Sequence, residues 1–172
     1  MNLDRLPAQI LLVAARREGE DAGLRCRALL ERAASGREVH AAFQRELARG
    51  GLTESGFSVL AALFAHEPGP LLRSDLPVAA GLSPMRATDA LTRLELSHLV
   101  RRHRDDQDRR LVWLRLTPAG LQQTNAALHR CVAAAGLVTG FMDKAQLKHS
   151  IEISDGLRQG AARLNRATAS AA

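Results

Sequence analysis

A helix start signal near the middle of the chain constrains the fold more than any other sequence feature. Ser83 is a favoured helix cap, and Pro84 after it is favoured at the first helical position. Gly81-Leu82 just before them is typical of a tight turn, and a short helix is predicted over 73–80. This spacing predicts two helices joined by a tight turn, which is a helix-turn-helix.

The second of these helices is predicted to be amphipathic. Its apolar residues recur at i, i+3, i+4 and i+7, which indicates one buried face; they are Ala87, Ala90, Leu91 and Leu94. The opposite face carries Met85, Arg86, Asp89, Thr92 and Arg93. Arginine on such a face can donate to guanine edges or phosphates in a major groove.

A basic hairpin is predicted directly after this helix. Residues 99–104 and 111–116 are typical of strands, and 105–108 of a turn. Cations in a hairpin can contact phosphates or the minor groove, and here they are Arg101, Arg102, Arg104, Arg109 and Arg110. Alternation places Trp113 and Arg115 on the outer face of the second strand. The pattern predicts a winged helix-turn-helix; the alternative is a solvated arginine-rich hairpin on an unrelated helical protein.

Helical patterns dominate on both sides of this region. Residues 5–34 have helical spacing interrupted by Gly19 and Gly23, and Ser35-Gly36 predicts a break before a helix over 37–48. We expect a mostly α protein with three parts: N-terminal helices over 1–48, a winged helix-turn-helix with a small β-hairpin wing over 49–117, and C-terminal helices over 118–172.

Composition and charge restrict the partners. The formal charge of +6 favours a polyanion such as DNA, RNA or an anionic membrane. The apolar stretch 10–15 is too short to cross a bilayer, and a signal peptide is not predicted. Two widely separated cysteines do not make a disulfide scaffold. We expect a cytoplasmic protein without membrane association.

Several short runs resemble the MarR family of bacterial transcription regulators. They are Gly51-Leu52-Thr53, Phe57-Ser58-Val59-Leu60, Gly81-Leu82-Ser83, Leu94-Glu95, Leu99-Val100-Arg101-Arg102, Asp108-Arg109-Arg110 and Leu116-Thr117-Pro118-Ala119-Gly120. The resemblance covers about residues 37–135. It implies an intertwined homodimer whose terminal helices form the dimer lobe, and a repressor that binds a palindromic operator in double-stranded DNA.

The resemblance also implies roles for individual residues. Arg110 would enter the minor groove, and Asp108 would hold it there. The expected DNA contacts combine residues of the exposed helix face with residues of the hairpin. They are Ser83, Met85, Arg86, Thr88, Asp89, Thr92, Arg93, Arg102, Arg104, Asp108, Arg109 and Arg110. Many members of the family release DNA when a small aromatic acid binds between the dimer lobe and the winged domain.

Such an anionic aromatic effector needs a cation beside apolar walls. The candidates for its site are Arg37, His40, Phe43, Phe57, Leu60, Phe64 and His66. The alternative is that these residues only form the hydrophobic core and its rim. The N-terminal segment resembles the extra helix of the urate-responsive branch. Ser58 stands where that branch has an aspartate, so urate is not predicted.

The sequence departs from the family pattern at three places. Leu96-Ser97-His98 stands where a charged residue and a glycine are frequent, Pro77 replaces a common alanine, and Asp89 replaces a frequent basic residue. Asp89 would repel phosphates or accept from a cytosine amino group. A protein-interaction module that has lost DNA binding is therefore one alternative, and a nucleoid-type binder without sequence preference is another.

The remaining chemistry is sparse. Cys26 lies between two arginines, which lower a thiol pKa, so a redox-responsive regulator is a further alternative. The histidines form no His-x-x-x-His pair, so neither a metal nor another cofactor is predicted. We find no nucleophile elbow, phosphate loop or paired carboxylates, so an enzyme is not predicted.

Overall fold

The computed structural model describes residues 5–169, with side chains from residue 9 onward. This part of the chain forms seven helices and three strands. In chain order they are α1 (Arg5–Arg17), α2 (Glu20–Arg49), α3 (Glu54–Ala65), β1 (Leu71–Leu72), α4 (Leu76–Ala80), α5 (Pro84–Leu96), β2 (Val100–Arg104), β3 (Val112–Leu116), α6 (Pro118–Thr139) and α7 (Lys144–Ala169). The mostly helical winged helix-turn-helix expected from the sequence is confirmed.

The chain divides into two compact units, Met1–Cys131 and Val132–Ala172. The first unit contains α1 to α5, the sheet and the first part of α6. The second contains the end of α6 and all of α7. The hydrophobic core lies in the first unit, between α3, α4, α5 and the sheet.

The core forms where the sequence predicts it. The apolar face of α5 is buried along its whole length, at Ala87, Ala90, Leu91 and Leu94. Leu60 of α3, Leu76 of α4 and Leu114 of β3 are also buried in the same cluster. Two predicted caps begin the helices of this core: Thr53 Oγ1 accepts from the Gly56 N–H at 3.1 Å, and Ser83 Oγ from the Arg86 N–H at 3.4 Å.

The sheet has three antiparallel strands in the order β1-β3-β2. β2 and β3 form the predicted hairpin. β1 was not predicted, because two consecutive leucines are too short to show alternation. It pairs Leu71 with Leu114 and Leu72 with Trp113, which adds a third strand on the far side of β3.

Three predicted helix boundaries are wrong. α2 continues through Ser35-Gly36 without a break, because one glycine costs a helix interior only about 1 kcal/mol and the Ser35 hydroxyl finds an acceptor within the helix, the Arg32 carbonyl at 3.2 Å. Gly23 also lies inside α2, where it faces Arg16 of α1 closely. The short helix begins at Leu76 rather than Arg73, which places Pro77 in its first turn, where proline is tolerated.

The start of α6 packs against the turn that precedes the wing. The Thr117 N–H donates to the Leu99 carbonyl at 3.0 Å, and the Thr117 hydroxyl donates to the His98 carbonyl at 2.8 Å. A Cβ at Gly120 would lie 1.9 Å from the Leu99 oxygen, so only glycine fits. The Thr-Pro-Ala-Gly run therefore fixes the wing to α6.

Candidate nucleic-acid interface

The outward face of α5 presents seven of the expected DNA contacts together. All of them are exposed: Ser83, Met85, Arg86, Thr88, Asp89, Thr92 and Arg93. The face results from the burial of the opposite side of α5, which fixes its rotation about its own axis. The helix therefore offers a continuous polar surface of a width that suits a major groove.

Internal hydrogen bonds organise several side chains of this face. The Thr88 hydroxyl donates to the Pro84 carbonyl and the Thr92 hydroxyl to the Thr88 carbonyl, both at 2.9 Å. Their oxygens can still accept from a ligand. Arg86 Nη2 donates to Ser55 Oγ of α3 at 3.0 Å, so α3 positions this guanidinium.

The wing arginines are all exposed: Arg101, Arg102, Arg104, Arg109 and Arg110. Arg102 differs from the others because it donates through Nε and Nη2 to the two carboxylate oxygens of Glu95 on α5. This hydrogen-bonded ion pair raises the pKa of Arg102. Sequence reasoning missed the role of Glu95; the structure shows that Arg102 fastens β2 to α5.

A single carboxylate organises the wing turn. Asp105 Oδ1 accepts from the N–H groups of Gln107 and Asp108, at 2.9 and 3.0 Å. Its Oδ2 accepts from Trp113 Nε1 at 3.0 Å. The hydrogen bond from the Asp108 backbone, followed by that from Trp113, lowers the pKa of Asp105. Asp105 was not predicted as a functional residue, although an aspartate that bonds to the amides after it is typical of turns.

Asp108 contacts Arg110 as its spacing suggests, but through the backbone. Asp108 Oδ1 accepts from the Arg110 N–H at 2.9 Å. Within the described range the guanidinium of Arg110 forms no ion pair with Asp108. Asp108 therefore shapes the chain at the wing tip and leaves the charge of Arg110 available.

Solved structures share this arrangement, although no known family profile and no curated protein matches the sequence. AbsC, a MarR family transcriptional regulator from Streptomyces coelicolor, is 26% identical, with a TM-score of 0.66 over 80% of this chain and 92% of AbsC. BpsR from Bordetella bronchiseptica is 26% identical, with a TM-score of 0.60 over 78% of this chain and 97% of BpsR. A variant of S. aureus MepR, bound to an oligodeoxyribonucleotide, is 20% identical, with a TM-score of 0.56 over 80% of this chain and 96% of MepR.

The chain has the MarR fold. Several solved structures with this fold are MarR family transcription regulators, and these are not enzymes. The structure of BpsR concerns the regulation of its DNA binding by 6-hydroxynicotinic acid.

Within this MarR fold, the residues expected to bind an effector are dispersed. Leu60 is completely buried in the core, and Phe57 and Phe64 pack against that core. Phe43 is half-buried on α2, and Arg37 is exposed.

The two histidines of that set have partners on the chain. His40 Nε2 lies 2.9 Å from Gln44 Nε2 and 3.6 Å from Glu54 Oε2. His66 Nδ1 lies 2.8 Å from the Ala62 carbonyl oxygen. The structure thus explains these residues by local contacts and does not bring the seven candidates into one cavity.

Sequence reasoning missed a partly buried cation, Arg130 of α6, which lies beside the end of α2. Nε and Nη2 of Arg130 are buried and have no hydrogen-bond partner within residues 9–169. The guanidinium occupies the space that a Cβ of Gly50 would fill. Two unpartnered N–H groups on a permanent cation are a site where an anionic group can bind.

The other chemistry considered from the sequence has little structural support. Cys26 and Cys131 are free and half-buried, and burial raises the pKa of Cys131. No cluster of metal-ligating side chains and no helix able to cross a membrane occurs in the part of the chain that the structure describes.

Proposed function

We propose that this protein is a sequence-specific DNA-binding transcription regulator that works in the cytoplasm as a homodimeric repressor on a palindromic operator. One observation carries the proposal: the exposed face of α5 and an arginine-rich wing are held together by the ion pair between Glu95 and Arg102. A rigid helix and a cationic hairpin in fixed relation are what a winged domain needs to contact two grooves at once.

In the proposed complex, α5 enters the major groove. Arg93 and Arg86 donate to guanine edges or phosphates, and Met85 supplies an apolar contact to a thymine methyl. Arg110 at the wing tip reaches the minor groove. Two copies of α5 in the dimer would bind half-sites about 34 Å apart, which is one turn of DNA.

The test compares charge removal at the proposed interface with charge removal elsewhere. Fragments bound by the protein are first selected from the genome that encodes it, which supplies a specific probe. Arg93→Ala should weaken binding to that probe by about tenfold or more and relax its preference at one base pair. Arg110→Ala should weaken binding without a change in helical content, because Arg110 is exposed.

Arg73→Ala is the matched control, because Arg73 is exposed and lies outside the proposed interface. Equal weakening by Arg73→Ala would show that only the total charge matters. Unchanged affinity of Arg110→Ala would contradict the wing assignment.

An anionic effector is the second part of the proposal, and the buried, unpartnered guanidinium of Arg130 supports it. A carboxylate there would supply the missing acceptors. BpsR, whose DNA binding is regulated by 6-hydroxynicotinic acid, makes that acid a suitable first probe. It should release the DNA probe from the wild-type protein but not from Arg130→Met, whose DNA affinity without the acid should remain. Equal release from both proteins would contradict the assignment.

A further inference from the structure

The exposed face of α5 carries an acidic side chain without a partner. Two acidic residues lie in this helix, Asp89 and Glu95. Both carboxylate oxygens of Glu95 accept hydrogen bonds from Arg102. Asp89 is exposed and, among the side chains that the structure describes, forms no hydrogen bond and no ion pair. A carboxylate only accepts hydrogen bonds, so the full capacity of Asp89 is available to a ligand.

Two arginines one helical turn away do not neutralise this carboxylate. Arg86 precedes Asp89 by three residues and Arg93 follows it by four, so the three side chains form one row along α5. Arg86 donates to Ser55 of α3 at 3.0 Å, and Arg93 has no partner within the described part of the chain. The row therefore presents a negative charge between two positive charges.

The threonines beside Asp89 also leave it unoccupied. The Thr88 hydroxyl donates to the Pro84 carbonyl and the Thr92 hydroxyl to the Thr88 carbonyl, both at 2.9 Å. A hydroxyl has one hydrogen to donate, so neither threonine donates to the carboxylate in this arrangement. A ligand that reaches Asp89 must therefore bring its own donor.

Only two groups on the base edges of the major groove can supply a donor to a carboxylate. They are the N4 amino group of cytosine and the N6 amino group of adenine. Adenine also presents the N7 acceptor beside its amino group, and this acceptor repels a carboxylate, whereas cytosine presents a C–H group there. Phosphates repel a carboxylate as well, and the charges of Arg86 and Arg93 offset that repulsion. Cytosine is therefore the base that suits Asp89.

We propose that Asp89 accepts a hydrogen bond from the N4 amino group of one cytosine in each half-site, so that the protein distinguishes cytosine from N4-methylcytosine. The inference rests on the proposed function, because it requires α5 to enter a major groove. N4-methylcytosine still pairs with guanine through its remaining N–H, and its methyl group then replaces the hydrogen that faces the major groove. Methylation of this one base therefore removes the donor that Asp89 needs.

The first test selects bound sequences from random duplex DNA, with the full-length wild-type protein, Asp89→Ala and Asp89→Asn. The wild-type protein should select cytosine at one position of each half-site. Asp89→Ala should lose the preference at that position alone. Asp89→Asn should change it to adenine, because an asparagine amide can accept from N6 and donate to N7. Circular dichroism checks that each variant keeps its helical content.

Glu18→Ala is the matched control for this selection. Glu18 is exposed in the turn between α1 and α2, so its replacement removes the same charge far along the chain from α5. This variant should keep every base preference of the wild-type protein.

The second test measures the affinity for the selected duplex with N4-methylcytosine at that position. The wild-type protein should bind the methylated duplex about tenfold more weakly than the unmodified one, which is the usual cost of one wrong base pair. Asp89→Ala should bind the two duplexes equally. The same modified base outside the half-sites should not change the affinity of the wild-type protein.

Two results would overturn the inference while the proposed function stands. One is an Asp89→Ala protein that keeps the cytosine preference, and the other is equal wild-type affinity for the methylated and unmodified duplexes. A uniform rise in the affinity of Asp89→Ala, without a change in any base preference, would show that Asp89 only repels phosphates. A wild-type protein that selects no sequence would contradict the proposed function itself, and this inference with it.

Discussion

His98 occupies a backbone conformation that favours glycine. Its φ of 57° lies in the left-handed region, at the turn between α5 and β2. The turn is fixed on both sides: the His98 N–H donates to the Glu95 carbonyl at 2.9 Å, and its carbonyl accepts from the Thr117 hydroxyl at 2.8 Å. These contacts hold His98 in a conformation in which a glycine would be unstrained.

Replacing His98 by glycine should therefore stabilise the protein. We expect His98→Gly to raise the free energy of unfolding by about 1 kcal/mol, because glycine lacks the Cβ that opposes positive φ. Ser97→Gly is the control, because Ser97 has a φ of −85° and gains nothing from glycine. Urea denaturation measures both. A less stable His98→Gly would show that the imidazole contributes more than the backbone strain costs.

At the level of elements, the wing depends on the carboxylate of Asp105. We expect Asp105→Ala to speed hydrogen exchange at the amides of Gln107 and Asp108, because both lose their acceptor. The Trp113 emission should also change, while the helical content should not. Asp106→Ala tests whether any aspartate of this exposed turn has the same effect. Unchanged exchange in Asp105→Ala would contradict the role of this carboxylate.

The same contacts predict how the wing responds to acid. The pKa of Asp105 is lowered from its ordinary value of 3.8, because two amides and the indole stabilise the carboxylate. A lowered pKa contributes stability that is fully present above the ordinary value and is lost as the pH falls through the lowered one. His103 faces Trp113 across the two strands, so the test uses a His103→Gln protein, which lacks the imidazole. Its Trp113 emission should stay constant from neutral pH down to about 4 and change only below it. A transition near pH 6 would contradict this assignment.

How far the sequence predicts each element depends on how local its signal is. The amphipathic face of α5, with Ser83 and Pro84 at its start, is local and was predicted correctly. The continuity of α2 through Ser35-Gly36 was not, because serine and glycine favour turns only weakly and a long helix on both sides tolerates them. The third strand was missed because its pairing partner, β3, lies far along the chain.

The residues of the candidate site also differ in whether a local sequence pattern could predict them. The exposed arginines could be predicted from helical and strand periodicity. The pairing of Glu95 with Arg102 could not, because it joins the last turn of a helix to a strand whose orientation only the fold determines. The buried state of Arg130 likewise depends on α6 lying over Gly50.

At the scale of the whole molecule, α7 needs a partner. No residue of this 26-residue helix is buried, and it exposes apolar side chains at Ile151, Ile153, Leu157 and Leu164. Helices of globular proteins gain most of their stability from packing an apolar face. We expect the full-length protein to sediment as a dimer.

Charge on the face formed by Ile153, Leu157 and Leu164 should separate the dimer. Ile153→Asp with Leu157→Asp should shift the sedimentation coefficient towards that of a monomer. Gln159→Asp adds a charge to an exposed polar position of the same helix and should not. A dimer that survives the double substitution would exclude this face of α7 from the interface.

The central claim is that this dimer recognises a particular DNA sequence. The most direct measurement is the affinity for one selected genomic fragment, in the presence of excess unrelated DNA and over a series of salt concentrations. We predict tight binding that survives the competitor and weakens steeply with salt, because arginines displace counterions from phosphates. Affinity that is equal for the fragment and the unrelated DNA, or no binding to any fragment, would contradict the claim.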